Sequence, residues 1–286
     1  MFNKKKTKIL FTVNSGKNVT TYTIPKGVTS ISNYAFSFTN YIKVVKIPAS
    51  LKTFSSKGLA YVEKYQVDKK NRYFKTKDGI LYDKKLQYLI AYPRNKKADV
   101  YNVPSSVISL TKKAKNYEYE FKLPLSSKEK NVKTLKVNTK LSYDNIPTFL
   151  DHYTIPKGNK YMTVKDGVIY SKNMKTIYLY PYNKKDTEYV MPDRVTTVKQ
   201  NAFNAAVSSS SYHQYQNRYL RKITLSKKLV SIEGEEPLSY ILNLNTVVIP
   251  KENTNYYNKY GDLYQKKDNK LIIMWTWSNH LKIITN

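Results

Sequence analysis

The residues that most often carry chemistry are few in this sequence and badly spaced for it. Three histidines, His152, His213 and His280, stand far apart with no metal-binding interval between them. With no cysteine in the chain, a thiolate site or a disulfide is excluded. Glu233, Glu235 and Glu236 form an acidic cluster that reads as a solvated turn rather than a cation site. A two-carboxylate hydrolase would have to bring together distant members of a set of only 20 Asp and Glu residues. Asp78 and Asp166 recur in equivalent settings, but each precedes a glycine, which marks a backbone role in a turn. No His-Glu-x-x-His, Gly-x-Ser-x-Gly or Walker pattern occurs. The expectation is a chain that is not an enzyme, with no catalytic residue, metal ligand or cofactor.

Charge constrains partners more than chemistry. Fifty Lys and Arg against 20 acids leave a net charge of +30, which attracts polyanions: nucleic acid, cell-wall polymer or acidic lipid. The lysines are spread in pairs such as Lys69-Lys70, Lys112-Lys113 and Lys227-Lys228, as on a solvated surface, and only Lys4-Lys5-Lys6 makes a run. Tyrosine and lysine alternate at Tyr256–Tyr260 and Lys115–Tyr119, yet no nucleic-acid-binding motif accompanies them. With 41% hydrophobic residues and 28 tyrosines the chain has ample surface to pack, so it is globular rather than disordered. Its longest apolar stretch, Leu271–Trp277, is far short of the ~18 residues of a membrane span, so no membrane insertion is expected. Behind Lys4–Lys6 the apolar Ile9-Leu10-Phe11 is broken by Thr12 and Asn14, which is not an intact secretion signal. Either the protein is intracellular or a leader has been removed.

An internal repeat organises the chain that must position any functional group. Asp78-Gly79-Ile80-Leu81-Tyr82 returns 88 residues later as Asp166-Gly167-Val168-Ile169-Tyr170. Tyr92-Pro93 and Tyr180-Pro181, then Asn95-Lys96-Lys97 and Asn183-Lys184-Lys185, keep the same offset. A weaker third copy is Gly261-Asp262-Leu263-Tyr264 with Leu271–Trp275. The Asp-Gly turns and their strand-like flanks predict a β-hairpin or three-strand island over 71–93 and 159–181, projecting from the edge of the fold.

Nine shorter segments place two apolar residues around one other: Tyr22–Ile24, Val45–Ile47, Tyr65–Val67, Tyr101–Val103, Leu135–Val137, Tyr153–Ile155, Tyr189–Met191, Ile223–Leu225 and Val247–Ile249. Their uninterrupted spacing, 23 residues from Ile24 to Ile47 and 20 from Ile47 to Val67, falls in the ~20–29 residue range of leucine-rich repeats. Strand side chains alternate, so the outer pair faces a core that only stacking of successive coils can close. A trailing proline, as in Ile24-Pro25, suits the end of a strand because it lacks an N–H. Val28, Ile31, Ala35 and Phe36 then return inward along the back of the coil.

The outward face follows from the same alternation. It carries Thr23, Lys46, Gln66, Asn102, Lys136, Thr154, Val190, Thr224 and Val248. Two residues earlier come Thr21, Val44, Lys64, Val100, Thr134, His152, Glu188, Lys222 and Thr246. Of these, Thr23, Lys46, Lys64, Gln66, Asn102, Lys136, Thr154, Lys222 and Thr224 are the candidate ligand-binding residues.

The segment Thr23-Ile24-Pro25-Lys26-Gly27-Val28-Thr29-Ser30-Ile31-Ser32-Asn33-Tyr34-Ala35-Phe36 resembles the repeat of the BspA-like leucine-rich repeat family, and the Asp-Gly-Val-Ile-Tyr islands are similar to those that interrupt its repeats. Met191–Phe203 also matches, whereas Leu110–Leu150 departs from the pattern, with Ala114-Lys115 where Ala-Phe would stand. The cysteine that usually follows Ala-Phe is missing throughout. The resemblance implies a secreted or cell-surface bacterial protein that binds a protein or glycan on a host or microbial surface, with no transferable catalytic residues.

The expected fold is mainly β: a leucine-rich-repeat solenoid with parallel strands and inserted β-hairpin islands. Residues 1–20 cap it through a strand at Leu10–Val13, and residues 21–286 form three units near 21–100, 101–188 and 189–286. Leu281–Ile284 supplies a last strand. The expected activity is adhesion through the concave sheet, with the binding of anionic polymer through lysines as the alternative. Salt titration separates the two: charge-driven binding, which gains from counterion release, collapses as salt rises, while recognition through the sheet face is retained.

Overall fold

Proline and alternation set the local geometry. In a computed structural model, the strand triplets that carry a trailing proline end there, and the proline carbonyl then opens a turn. Val28 N–H donates to Pro25 O at 3.2 Å, Val107 to Pro104 O at 3.0 Å and Val195 to Pro192 O at 2.9 Å. The structure describes residues 1–12, 19–33, 35–36, 41–55, 59, 61–110, 132–148, 150–203, 217–234, 238, 241–273 and 281–285. They are almost wholly strand and turn, with a single short 3-10 helix at Tyr143–Asn145. The chain divides into two units, Met1–Pro147 and Thr148–Asn286.

In the first unit Thr21–Thr23, Val44–Ile47 and Lys64–Val67 pair in parallel and in register, with Tyr22, Val45 and Tyr65 side by side. Val100–Asn102 and Thr134–Lys136 also pair in parallel and in register. In the second unit Glu188–Val190, Lys222–Thr224, Thr246–Ile249 and Lys282–Thr285 form a four-stranded parallel ladder. His152–Thr154 is a further strand of this unit. The expected last strand is therefore present, and the triplets are strands.

They do not form one sheet. The breaks coincide with the islands, which enter the sequence between Val67 and Val100 and between Thr154 and Glu188. At the first break the cause is visible: Tyr65 N–H donates to Gly79 O at 2.8 Å, so the island's turn occupies the ladder edge.

The islands are three-stranded antiparallel sheets: Phe74–Lys77, Ile80–Asp83 and Leu89–Ala91; Met162–Lys165, Val168–Ser171 and Thr176–Leu179; Tyr256–Lys259, Asp262–Gln265 and Lys270–Ile273. Each first turn has two residues at positive φ, 53° and 77° at Asp78-Gly79 and 51° and 78° at Asp166-Gly167. This is the hairpin geometry that favours Asp-Gly. Gly79 is needed a second time, because a Cβ there would lie 2.8 Å from Lys64 Cβ. The islands do not project from the edge. Leu81, Ile90 and Ala91 belong to the first unit's core, and Val168, Tyr170 and Ile177 to the second's. Residues apolar on both faces, Ile80-Leu81-Tyr82 and Val168-Ile169-Tyr170, could not stand in water. The second island's last strand even continues the back of the coil, pairing in parallel with Thr197–Val198, which pairs with Ser231–Ile232.

The N-terminal strand lies at Lys8–Ile9, earlier than expected, and pairs in parallel with Ser30–Ile31. Ile9 is the residue that reaches the core, and Leu10 stays exposed; Val13 and Ala114-Lys115 lie outside the described residues. Ile24, Val28, Ala35 and Phe36 are buried as the alternation requires, and Tyr22 packs edge-on against Phe36 at 5.4 Å.

Successive turns of the chain are stitched by buried asparagines. Asn71 donates through Nδ2 to Pro48 O (2.7 Å) and Leu51 O (3.0 Å) of the preceding turn, and its Oδ1 accepts from the N–H groups of Tyr73 and Phe74, both at 2.8 Å. Asn138 binds Pro104 O and Val107 O in the same way, Asn217 binds Pro181 O and Lys184 O, and Asn253 binds Ser226 O and Leu229 O. At Asn253 Oδ1 accepts one N–H, that of Asn255, and at Asn71, Asn138 and Asn217 all four hydrogen-bonding positions of the amide are used. Removing it strands buried backbone groups at about 1–3 kcal/mol each. Asn71→Ala is therefore expected to cost at least about 3 kcal/mol in urea denaturation. Asn71→Asp is expected to be similarly destabilised at pH 7, because a carboxylate faces two carbonyls, and to recover part of the loss in acid, when the carboxyl can donate once.

Candidate functional site

Parallel register turns the outward residues of each ladder into rows. In the first unit one row reads Thr21, Val44, Lys64 and the next Thr23, Lys46, Gln66. Thr23, Lys46, Lys64 and Gln66 are exposed, while Val45, Ile47 and Tyr65 beside them are buried. Asn102 and Lys136 are register partners on the second parallel pair, both exposed. In the second unit His152 and Thr154 lie exposed on the strand His152–Thr154, and Lys222 and Thr224 are half-buried within the four-stranded ladder. The nine residues expected on the outward face thus fall into separate groups.

The two larger groups differ in chemistry. In the second unit Lys222 Nζ binds Glu188 Oε2 at 3.1 Å, and the adjoining row, Val190, Thr224, Val248, Ile284, is mostly apolar. Val190, on the edge strand, is 65% exposed, whereas Val248 is only 6% exposed, against its expected outward exposure. Val248 lies on an inner strand between Thr224 and Ile284, whose branched side chains close over it. In the first unit the outward rows hold hydroxyls, an amide and two lysines. Its nearest ion pair, Lys43 with Glu63 at 3.3 Å, sits where the strands begin.

Beside the first unit's ladder the turns add cations that strand alternation alone passes over. Gly27 N–H donates to Ser50 Oγ at 3.1 Å, so consecutive turns abut. Lys26, Lys69 and Lys70 are exposed on those turns. The signal in the sequence was Pro-Lys-Gly and Asp-Lys-Lys directly after a strand triplet.

The candidate catalytic groups do not converge. Asp78 and Asp166 occupy the positive-φ turn positions described above, and Glu233 is held by Lys199 at 3.0 Å. His213, His280, Glu235 and Glu236 lie outside the described residues. Among the described residues no group of three His, Cys, Asp or Glu side chains could hold a metal, and no helix is long and apolar enough to cross a membrane.

The titratable groups that burial perturbs are tyrosines. Tyr82 Oη and Tyr101 Oη share a hydrogen bond at 2.8 Å, and Tyr170 Oη and Tyr189 Oη, 88 residues on, share one at 2.7 Å. Tyr92 packs on Tyr101 and Tyr180 on Tyr189, with ring centroids 5.2 and 5.0 Å apart. Burial pushes the Tyr92 hydroxyl up to about 12 and raises those of Tyr82, Tyr101, Tyr170, Tyr180 and Tyr189.

Residues 7–114 match the model of the BspA type leucine rich repeat region, in six copies. A comparison with curated proteins gives no match. Among solved structures, the chain is similar to a leucine-rich repeat protein from Eubacterium ventriosum, with 17% identity and a TM-score of 0.47, over 82% of this chain and 55% of that one. It is similar to the pneumococcal vaccine antigen PcpA, with 19% identity and a TM-score of 0.49, over 87% of this chain and 64% of that one. A third is a leucine rich cell surface protein from Faecalibacterium prausnitzii, with 12% identity and a TM-score of 0.42, over 94% of this chain and 88% of that one. The chain thus spans 55% and 64% of the length of the first two.

A tyrosine whose folded pKa lies above its ordinary value of 10 favours the folded state fully below that value and progressively less as pH rises above it. Urea midpoints are expected to stay level from pH 7 to about 9 and to fall steeply above about 10. Tyr82→Phe with Tyr101→Phe should flatten that fall.

Proposed function

We propose that the chain is a non-enzymatic binding or adhesion module, secreted or displayed on a bacterial cell surface, that recognises a protein or glycan through the outward faces of its parallel strands. In this reading each unit winds as a leucine-rich-repeat solenoid. Residues 1–20 close its start, and the sequence repeats near 21–100, 101–188 and 189–286 supply its coils. The ligand lies on the concave sheet, against Thr23, Lys46, Lys64, Gln66, Asn102, Lys136, Thr154, Lys222 and Thr224.

The observation that supports it is the in-register row. Side chains on neighbouring parallel strands are fixed at regular spacing by backbone hydrogen bonds, so a ligand meets a preorganised array and little ordering cost is left to binding. The BspA-type repeats over residues 7–114 are a second support, since repeat proteins use such extended surfaces for recognition.

A second reading, binding of an anionic polymer, is favoured by the net charge of +30. One experiment tests the surface common to both. The fluorescently labelled chain is applied to arrays of glycans and of matrix proteins, beside variants carrying Thr23→Arg with Gln66→Glu, Asn102→Arg with Lys136→Glu, or Thr224→Arg. At least one array feature is expected to bind the parent chain and to lose more than about tenfold in affinity in one of these variants, with Ser231→Arg on the back of the coil neutral. Binding that survives all three changes overturns the proposal.

A further inference from the structure

We infer that the first parallel ladder, Thr21–Thr23, Val44–Ile47 and Lys64–Val67, is a site for an anionic glycan, a polysaccharide bearing carboxylate or sulfate groups. The inference rests on the strand-face reading above and gives one of those faces a ligand class.

Charge complementarity carries it. Lys46 pairs with Gln66 in register and Lys64 stands two residues earlier, so the two lysines are diagonal neighbours on one face, about 7–8 Å apart at their stems. Neither has an acidic partner among the described residues. Glu63 is engaged by Lys43 at 3.3 Å, and Asp68 Oδ1 accepts the Lys70 N–H at 2.8 Å. Along the rim Lys26, Lys69 and Lys70 stand exposed. Cations held this close, with no anion between them, are relieved when a chain of negative groups lies across them. The four-stranded ladder of the second unit differs, because its Lys222 is already spent on Glu188 and its next row is mostly apolar.

The remaining side chains choose among polyanions. Thr21, Thr23 and Gln66 offer hydroxyls and an amide, which match the hydroxyl-rich rim of a sugar. Nucleic acid would need aromatic faces for its bases, and this ladder shows none outward: Tyr65 is buried, and Tyr22 packs edge-on against Phe36. A regular row of threonine, lysine and glutamine is a surface for a linear glycan.

The test is calorimetric titration of the full chain with a heparin oligosaccharide at about 50 and 200 mM salt, beside neutral dextran and a single-stranded DNA oligonucleotide. Heparin is expected to bind. Lys46→Gln with Lys64→Gln should weaken it roughly tenfold and reduce the slope of log affinity against log salt by about two. Lys251→Gln with Lys282→Gln, exposed in the second unit, should leave both quantities unchanged. Equal losses in the two double variants would make the attraction diffuse and overturn the site. DNA binding as tight as heparin and equally sensitive to Lys46 and Lys64 would overturn the glycan. If heparin fails to bind while an array ligand still depends on Thr23 and Gln66, the charge assignment falls and the strand-face reading stands; if neither binds, both fall.

Discussion

A single amide, used repeatedly, holds this architecture together. Strands of three or four residues make too few ladder hydrogen bonds to stand alone, and the turns that follow them point carbonyls into the interior. A buried asparagine from the next coil meets two of those carbonyls and takes two N–H groups of its own coil in return. The same bonds appear at Asn138 and Asn217, and Asn253 meets two carbonyls and takes one N–H in return. Because an unmet buried carbonyl or N–H costs more than an ordinary contact gains, the amide fixes where each turn sits against its neighbour. Register between strands follows from that, and the rows on the outward face follow from register.

Those rows bring together residues far apart in sequence. Thr23, Lys46 and Gln66 are neighbours only because three coils return to the same place. The two larger ladders then diverge by substitution at equivalent positions, lysine and glutamine in one and valine and isoleucine in the other. Backbone geometry is shared between them while the chemistry of their outward side chains is not.

Much of this was legible in the sequence for physical reasons. Alternation of apolar residues gave the strands, proline gave their ends, and Asp-Gly at an offset of 88 gave the island turns. The limits were equally physical. That the triplets occupy separate sheets could not be read, because Tyr65 turns to Gly79 through a bond made after the intervening residues fold back. The burial of Val248 depends on Ile284, supplied by a strand far along the chain. The islands' burial was hidden because a segment apolar on both faces reads the same whether it projects or packs. Asn71 and Asn159 do share the offset of 88, in Asn-Arg-Tyr-Phe and Asn-Lys-Tyr-Met, but an asparagine among polar residues reads first as a turn former.

The asparagine bond reaches back over unequal lengths of chain: 23 residues from Asn71 to Pro48, 34 from Asn138 to Pro104, 36 from Asn217 to Pro181 and 27 from Asn253 to Ser226. What lies between can therefore grow or shrink as long as the two anchoring points survive. Such a scaffold is open to grafting, since foreign sequence can be spliced into the variable arc of a coil without disturbing the spacing on the opposite side. Diversification of the arc and conservation of the anchor are then separate problems, for evolution and for an engineer alike.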